Sequence, residues 1–180
     1  MTSTLGLALL ALVARQAATG YELARSMERP AGFFYAARHS QIYPELARLQ
    51  DAGLIVGEEI AGAGPRPTRR YRLTDAGADE LRRWLATPAA GGPVRDVKTL
   101  QFYSLWFLPR DEAIGLVESW RRRHAEALTV YAAERSGIVA DGDPTPDTPR
   151  FGNLAAVTGG VLGAQADIAW CDWVLDRLRG

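Results

Sequence analysis

The chain is 180 residues long and 47% of them are hydrophobic, which is enough to form a core and excludes wholesale disorder. Basic and acidic residues balance at 21 each. Cys171 is the only cysteine, which excludes an internal disulfide, and with only His39 and His124 beside it no metal-ligand spacing exists. We therefore expect no metal ion and no cofactor. The apolar stretch 5–13 is far shorter than the roughly 20 residues that span a bilayer, so we expect a cytoplasmic protein without membrane contact.

The charges are distributed unevenly along the chain. Residues 1–74 carry nine arginines and six acidic residues, a balance of +3, whereas residues 75–180 carry twelve basic and fifteen acidic residues, a balance of −3. A local basic patch, rather than the total charge, sets the attraction for phosphate groups. The neutral total therefore does not exclude nucleic acid as a partner of the first part of the chain.

Two helices are predicted before residue 30. Residues 5–14 are densely apolar, which indicates a buried helix. Thr19 precedes Glu22 by three residues, the spacing of a capping box. A short second helix is therefore expected over residues 20–28, and the residues between the two helices are expected to form only a break.

A third helix is predicted over residues 39–52. Ile42, Leu46 and Leu49 recur on one face, as in a helix with one buried stripe. Ser40 is the predicted N-cap. The outward face then carries polar side chains: Ser40, Gln41, Tyr43, Glu45 and Arg48.

A hairpin and a fourth helix follow. Residues 54–60 and 69–73 predict two strands, and the loop 61–68 between them is rich in glycine and proline. Thr74 is the predicted N-cap of a helix that extends to about residue 86. The residues that this helix is expected to bury are Ala78, Leu81 and Leu85.

Residues 87–93 are rich in glycine and proline and give the best domain boundary. We predict a first domain over residues 1–87 and a second over residues 94–180. In the second domain we expect a helix that is apolar nearly all round over residues 96–108, and such a helix needs cover on most sides. Two long helices follow at residues 111–136 and 151–179, with a polar loop between them.

The last helix carries an uninterrupted heptad pattern, which predicts a dimerisation seam. Its members are Leu154, Val157, Val161, Ala164, Ile168, Cys171, Leu175 and Leu178. A weaker seam in the preceding helix comprises Ile114, Val117, Arg121, His124, Leu128 and Tyr131.

Three helices followed by a hairpin make the winged form of the helix-turn-helix, in which the third helix enters the major groove of DNA. Glutamine can pair with adenine, and arginine with guanine or phosphate. The fold class expected is mainly α-helical with a small two-stranded β-wing: an N-terminal winged helix-turn-helix plus a C-terminal helical dimerisation domain. The candidate DNA-binding residues of the third helix and the wing are Ser40, Gln41, Tyr43, Arg48, Arg66, Thr68, Arg69 and Arg70.

The same segments resemble the PadR family of bacterial transcriptional regulators. The resemblance is carried by Gly-Tyr-Glu-Leu at 20–23, Ser-Gln-Ile-Tyr-Pro-Glu-Leu at 40–46, Asp-Ala-Gly-Leu-Ile at 51–55 and Arg-Arg-Tyr-Arg-Leu-Thr at 69–74. The tail is similar to the longer C-terminal domain of the Vir-type branch. The resemblance implies a repressor that binds an inverted-repeat operator as a homodimer, with Tyr21, Ser40 and Tyr43 on the DNA backbone.

PadR relatives often release DNA when they bind phenolic or other flat aromatic compounds. The aromatic residues that could line such an effector pocket here are Trp84, Phe102, Tyr103, Trp106, Trp120 and Trp170. Packing in the core is the competing interpretation of these residues. Double-stranded DNA, a second copy of the chain and a small aromatic effector are therefore the expected partners.

Two other functions were weighed. A winged helix used only for protein–protein contact is supported by the neutral net charge. An enzyme is not expected, because the sequence has no nucleophile elbow and no phosphate-binding loop of the required form. The loop 61–68 contains glycines but lacks the lysine and hydroxyl residue that follow them in such loops.

Overall fold

The computed structural model describes residues 2–27, 38–60, 68–88 and 96–180. Contacts divide the chain into two compact units, Met1–Ala90 and Gly91–Gly180. The elements of the first unit are α1 (Thr4–Arg15), β1 (Ala18–Thr19), α2 (Gly20–Ser26), α3 (His39–Asp51), β2 (Ile55–Ile60), β3 (Thr68–Leu73) and α4 (Asp75–Leu85). Those of the second are α5 (Val97–Tyr103), a 3₁₀ turn (Leu105–Phe107), α6 (Arg110–Val139) and α7 (Pro149–Arg179).

The core of the first unit lies between α1, α2 and α3 and the sheet. The predicted stripe of α3 is confirmed, since Ile42, Leu46 and Leu49 are all buried in one cluster with apolar residues of α1 and α2. Helix α1 is buried over most of its length because it packs against both α3 and α4 as well as β3. This packing fixes α3 on the body of the unit with its polar face outward.

The wing is part of a three-stranded antiparallel sheet in the order β1-β3-β2. The prediction of two strands was therefore incomplete, because Ala18 and Thr19 pair with Tyr71 and Arg70 of β3. A two-residue strand has too few residues to show the alternation by which strands are recognised in sequence. Its consequence is that β3 is the central strand and lies beside the start of α2.

Two predictions about helix ends and faces were wrong. Helix α3 begins at His39 with Arg38 at its N-cap, so Ser40 lies inside the first turn and does not cap the helix. Leu85 is two-thirds exposed because it is the last residue of α4. Thr74 caps α4 as predicted, by accepting a hydrogen bond from the N–H of Gly77.

Helix α4 begins against the backbone of the chain before β2, and this contact allows only glycine at position 77. A Cβ built on Gly77 would lie 2.0 Å from the carbonyl oxygen of Leu54. We expect Gly77→Ala to lower the free energy of unfolding of the first unit by about 2 kcal/mol or more, because backbone must move to make room. Thermal or denaturant unfolding measures this change.

Gly115→Ala in α6 is the matched control, because nothing lies within 4 Å of a Cβ at that position. We expect the control to be neutral or to stabilise α6 by up to about 1 kcal/mol, since alanine is the better helix former. Equal melting temperatures for Gly77→Ala and the unmodified protein would show that the α4 contact is looser than described.

The second unit is built on a helical hairpin of α6 and α7. The predicted helix over residues 96–108 is broken at Ser104, which ends α5 and begins the 3₁₀ turn. The expectation that this segment is covered on most sides was also wrong: Tyr103, Trp106 and Phe107 are 79%, 80% and 78% exposed. An exposed apolar group of this size is characteristic of an interaction surface.

The heptad seam of α7 packs inside the chain, so its prediction as a dimerisation surface needs correction. Five of its members are buried within the single chain: Val157, Val161, Ala164, Cys171 and Leu175. Leu154, Ile168 and Leu178 are half-buried. The partner is the weaker seam of α6, whose Val117 is fully buried in one cluster with Cys171 and Leu175. A heptad pattern shows that one face is covered but not whether the same chain covers it.

Polar contacts between α6 and α7 agree with this packing. Arg121 donates to both carboxylate oxygens of Asp172, at 2.5 and 3.3 Å, and Arg179 pairs with Glu118 at 2.5 Å. Among the described residues, α7 is the one helix long and apolar enough to cross a bilayer by length and composition. The core helix of a protein passes the same test, and the apolar stripe of α7 packs against α6.

Candidate nucleic-acid interface

The start of α2 is fixed by a capping box, as predicted. The Thr19 hydroxyl accepts a hydrogen bond from the N–H of Glu22, and the Glu22 carboxylate accepts one from the N–H of Thr19 at 2.7 Å. That second bond lowers the pKa of the Glu22 carboxyl below its usual value, and the charge of Arg70 acts in the same direction. Tyr21 follows Gly20 in this first turn, and its ring is mostly exposed.

Tyr43 of α3 packs against the start of α2. A Cβ built on Gly20 would lie 2.7 Å from Cε1 of Tyr43, so the ring rests where a side chain would otherwise be. Half of Tyr43 remains exposed. A larger residue at position 20 would displace the Tyr43 ring, and the close approach places Tyr43 of α3 beside the first turn of α2, where Tyr21 lies.

Arg70 of β3 lies beside the same point, because the sheet register places it opposite Thr19 of β1. Its side chain is exposed and forms no ion pair among the described residues. Tyr21, Tyr43 and Arg70 therefore come from a helix start, a helix and a strand, and each lies next to the capping box. We call these three residues the α2-start surface.

The remaining candidates of α3 are also on the outer face of the unit. Ser40 and Gln41 are exposed, and the amide oxygen of Gln41 accepts a hydrogen bond from the N–H of Arg38 at 3.1 Å. The amide nitrogen of Gln41 keeps two donors for another acceptor. Arg48 is exposed at the far end of the helix.

Glu45 was predicted to be exposed, and this was wrong. It is buried, accepts a hydrogen bond from Ser3, and binds the guanidinium of Arg48 at 3.0 Å. Ser3 is the N-cap residue of α1, so its hydroxyl links the two helices through Glu45. The i, i+3 spacing of Glu45 and Arg48 could have indicated this pair from the sequence. Its consequence is that Arg48 is held by the protein itself.

The wing brings three arginines together on β3. Arg69 pairs with Glu59 at 3.6 Å and Arg72 pairs with Glu58 at 2.9 Å, both on the neighbouring strand β2. Thr68, the first residue of β3, is half-buried opposite Ile60. Arg66 lies outside the described residues.

The geometry assembles a surface suited to phosphate contact. Hydroxyl groups and guanidinium groups are the side-chain donors that most often bind phosphate oxygens, and amide groups read base edges. Tyr21, Tyr43 and Arg70 supply the first kind, and Gln41 supplies the second. Nothing in this surface resembles the arrangement of a nucleophile with a base, and among the described residues no three histidine, cysteine, aspartate or glutamate side chains converge as metal ligands.

The predicted effector-pocket residues of the second unit fall into two sets, one packed and one exposed. Trp84 belongs to the first unit. In the second unit, the rings of Phe102 and Trp170 lie 4.7 Å apart, and Trp120 stacks on His124 at 6.0 Å. Tyr103 and Trp106 are instead on the exposed apolar surface. Within the second unit, Phe102, Trp120 and Trp170 are the candidates for lining an effector site, and Trp84 of the first unit stays a prediction.

A buried polar cluster beside these rings was missed by the sequence reasoning. Lys98, which is nearly fully buried, pairs with Asp167, and its Nζ also lies 3.4 Å from Nε2 of His124. The His124 Nδ1 is 3.3 Å from Asp167, and burial lowers the pKa of His124. Nζ of Lys98 lies 5.1 Å from the centre of the Trp170 ring. The signal was available, since Lys98 is the only lysine of the chain and lies in a strongly apolar segment.

Comparisons with known proteins agree with this architecture. Residues 9–83 match the Transcriptional regulator PadR-like family, and residues 94–179 match the Virulence activator alpha C-term family. The negative transcriptional regulator PadR of Bacillus subtilis is 28% identical over 170 residues, which is 93% of each chain.

Solved structures of Bacillus subtilis PadR are similar over nearly the whole chain. The structure in complex with operator DNA has a TM-score of 0.89 at 26% identity and covers 98% of this chain and 99% of that one. The structure in complex with p-coumaric acid has a TM-score of 0.85 at 26% identity and covers 99% of this chain and 100% of that one. The chain described here belongs to the PadR-like family of winged-helix, DNA-binding transcriptional regulators.

Proposed function

We propose that this protein represses transcription by binding an inverted-repeat operator as a homodimer, with α3 in the major groove. The observation that carries the proposal is the α2-start surface, where Tyr21, Tyr43 and Arg70 converge although they come from three different elements. Ser40, Gln41 and Arg48 extend this surface along α3, and the wing residues Thr68 and Arg69 extend it along β3. We propose DNA contact for Arg66 as well, on its residue type alone. The similar Bacillus subtilis PadR, whose structure is with operator DNA, supports the same role.

We assign DNA binding to residues 1–87 and both dimerisation and effector binding to residues 94–180. We further propose that the protein acts in the cytoplasm, where its operator DNA lies, and that it has no catalytic function. The proposed effector is a small aromatic compound, since Phe102, Trp120 and Trp170 offer flat apolar faces next to the charge of Lys98. The relative whose structure is with p-coumaric acid supports this class of compound.

The experiment is a fluorescence-anisotropy titration of the protein onto duplexes that tile the DNA upstream of its own gene, at low salt. The expected result is saturable binding to one duplex and much weaker binding to a random duplex of equal length. Absence of binding to every upstream duplex would overturn the proposal and would favour the other candidate function, a winged helix for protein–protein contact. The observation that favours that candidate is the zero net charge of the chain.

We call the DNA-binding domain of each copy, residues 1–87, a head. Two heads are needed because one head is only weakly basic. A dimer presents two α3 helices to successive major grooves, which multiplies their separate weak attractions. Because the buried part of the α7 seam packs on α6, we propose that the second copy covers the exposed apolar surface of Tyr103, Trp106 and Phe107. The Trp106 and Phe107 rings already contact each other at 5.6 Å, so they present one continuous face.

We expect Trp106→Asp to convert the dimer to monomers, because a charge in an apolar interface loses its water without gaining a partner. Sedimentation velocity measures the change. Leu85→Asp is the matched control, since Leu85 is also an exposed apolar residue but lies on α4. Val157→Asp is expected to unfold the second unit instead, because Val157 is fully buried within one chain. If Val157→Asp gives a folded monomer and Trp106→Asp remains a dimer, the dimer interface lies on the heptad seam of α7 and not on the surface of Tyr103, Trp106 and Phe107.

A further inference from the structure

Two of the three arginines of β3 are paired with acidic residues of their own wing. Glu58 binds Arg72 and Glu59 binds Arg69, and all four side chains are half or more exposed. Exposed ion pairs contribute little to stability, because water and salt screen them. The pairs therefore add little to the stability of the fold. Their main effect is to reduce the positive charge with which the wing attracts a polyanion such as DNA.

The pairing is selective, and the register shows how. Glu58 lies directly opposite Arg70 on β3, yet its carboxylate binds Arg72, one step along the same face. Glu59 lies opposite Arg69 on the other face and binds it directly. Within the described residues, Arg70 is thus the arginine of β3 that forms no ion pair, although its charge acts on the Glu22 carboxylate beside it. The wing is neutralised on either side of the residue that we place at the DNA.

We propose that Glu58 and Glu59 compete with DNA phosphates for Arg72 and Arg69, and that they set the discrimination between operator and non-specific DNA. This inference rests on the proposed function. On random DNA, where the affinity is essentially electrostatic, a phosphate must displace a carboxylate that is already in place. On the operator, α3 fixes the head in the groove, and the wing meets the phosphates at high effective concentration, so the exchange proceeds.

The carboxylates therefore weaken binding to random DNA more than binding to the operator. A wing of three unpaired arginines would bind any duplex more tightly, whereas in this wing a phosphate gains Arg69 or Arg72 only in competition with Glu59 or Glu58. Glu58 and Glu59 thus lower the positive charge of residues 1–74, and this lower charge favours the operator over random DNA.

The test compares Glu59→Gln and Glu58→Gln with the unmodified full-length protein. Each variant keeps the size of the side chain and removes its charge. Affinities for the operator duplex and for a random duplex of equal length are measured between 50 and 200 mM salt. Each released arginine adds one phosphate contact per head, so the slope of log K against log salt should steepen by about 0.9 per protomer and about 1.8 per dimer. A slope that is steeper by about 1.8 corresponds to a factor of about 12 over this fourfold range of salt. For random DNA, the gain in affinity of the variant over the unmodified protein should therefore be about 12-fold larger at 50 mM than at 200 mM salt.

Glu118→Gln is the matched control, because Glu118 is a similarly exposed carboxylate paired with Arg179, but in the second unit. It changes the net charge equally and should leave the slope unchanged. The inference is overturned if Glu58→Gln and Glu59→Gln leave the slope unchanged, if Glu118→Gln steepens it as much, or if operator and random DNA gain equally. Failure of the unmodified protein to bind any upstream duplex would instead contradict the proposed function, so the two failures are distinguishable.

Discussion

Replacing Arg70 with alanine is expected to abolish operator binding at physiological salt while leaving the fold intact. Arg70 is the arginine of β3 that forms no ion pair in the described part of the chain, and it lies at the α2-start surface, where the DNA backbone is expected to pass. A hydrogen bond to a charged group such as a phosphate is worth about 1.5–3 kcal/mol, and a dimer loses two of them, which gives a loss of about 150-fold to more than 10,000-fold in affinity. Anisotropy titration on the operator duplex measures the loss.

The control for Arg70→Ala is Arg82→Ala. Arg82 is exposed on α4 of the same unit, where it pairs with Asp79. We expect this control to keep operator affinity within a few-fold of the unmodified protein, and both variants to melt at nearly the same temperature. Equal losses for the two variants would mean that only the total charge of the head matters, and the α2-start surface would lose its assigned role.

The second large effect is expected from Lys98→Met, which removes the partner of Asp167 in the core of the second unit. Breaking a buried ion pair leaves an uncompensated charge and costs about 3–5 kcal/mol. Asp167 is one-third exposed and keeps its contact with His124, so we expect the lower end, about 3 kcal/mol less free energy of unfolding. Denaturant unfolding of the second unit measures it.

The double variant Lys98→Met with Asp167→Leu supplies the control. Apolar residues often replace a buried ion pair at no cost, so the double variant should recover most of the stability that the single variant loses. A double variant as unstable as Lys98→Met would show that packing of the lysine stem, and not its charge, holds this cluster. A loss below about 1 kcal/mol in the single variant would show that the pair is effectively solvated.

The first unit could be predicted from its sequence because its signals are local. The buried stripe of α3, the capping box at Thr19 and the N-cap at Thr74 each depend on residues within one or two helical turns, and all three are confirmed. The strand β1 could not be predicted, because two residues give no alternation and its pairing partner Arg70 lies some fifty residues later.

The second unit shows the limit of periodic patterns. The heptads of α7 correctly indicate a covered face, but the covering helix α6 belongs to the same chain, and no feature of a single helix distinguishes the two cases. Composition predicts that the apolar segment before α6 is buried, whereas Tyr103, Trp106 and Phe107 are exposed in the single chain. Hydrophobic composition indicates that a surface needs a partner without saying which one.

Residue type and spacing predict the residues of the candidate DNA surface, but they do not predict the ion pairs that hold its arginines. Tyr21, Tyr43 and Arg70 were all named from the sequence, and the structure brings them to one point. The pairs that hold Arg48, Arg69 and Arg72 depend on side-chain geometry and on strand register, and the register is set only once the hairpin is formed.

Site-specific photocrosslinking from position 43 tests the central claim most directly. A benzophenone amino acid replaces Tyr43, where half of the ring is exposed, and in a parallel sample it replaces Leu85, which is similarly exposed on α4. On the operator duplex, the account predicts a crosslink from position 43 that maps to one place in each half-site, and none from position 85. Crosslinks from position 85 with none from position 43 would contradict it, because DNA would then lie on the opposite part of the unit.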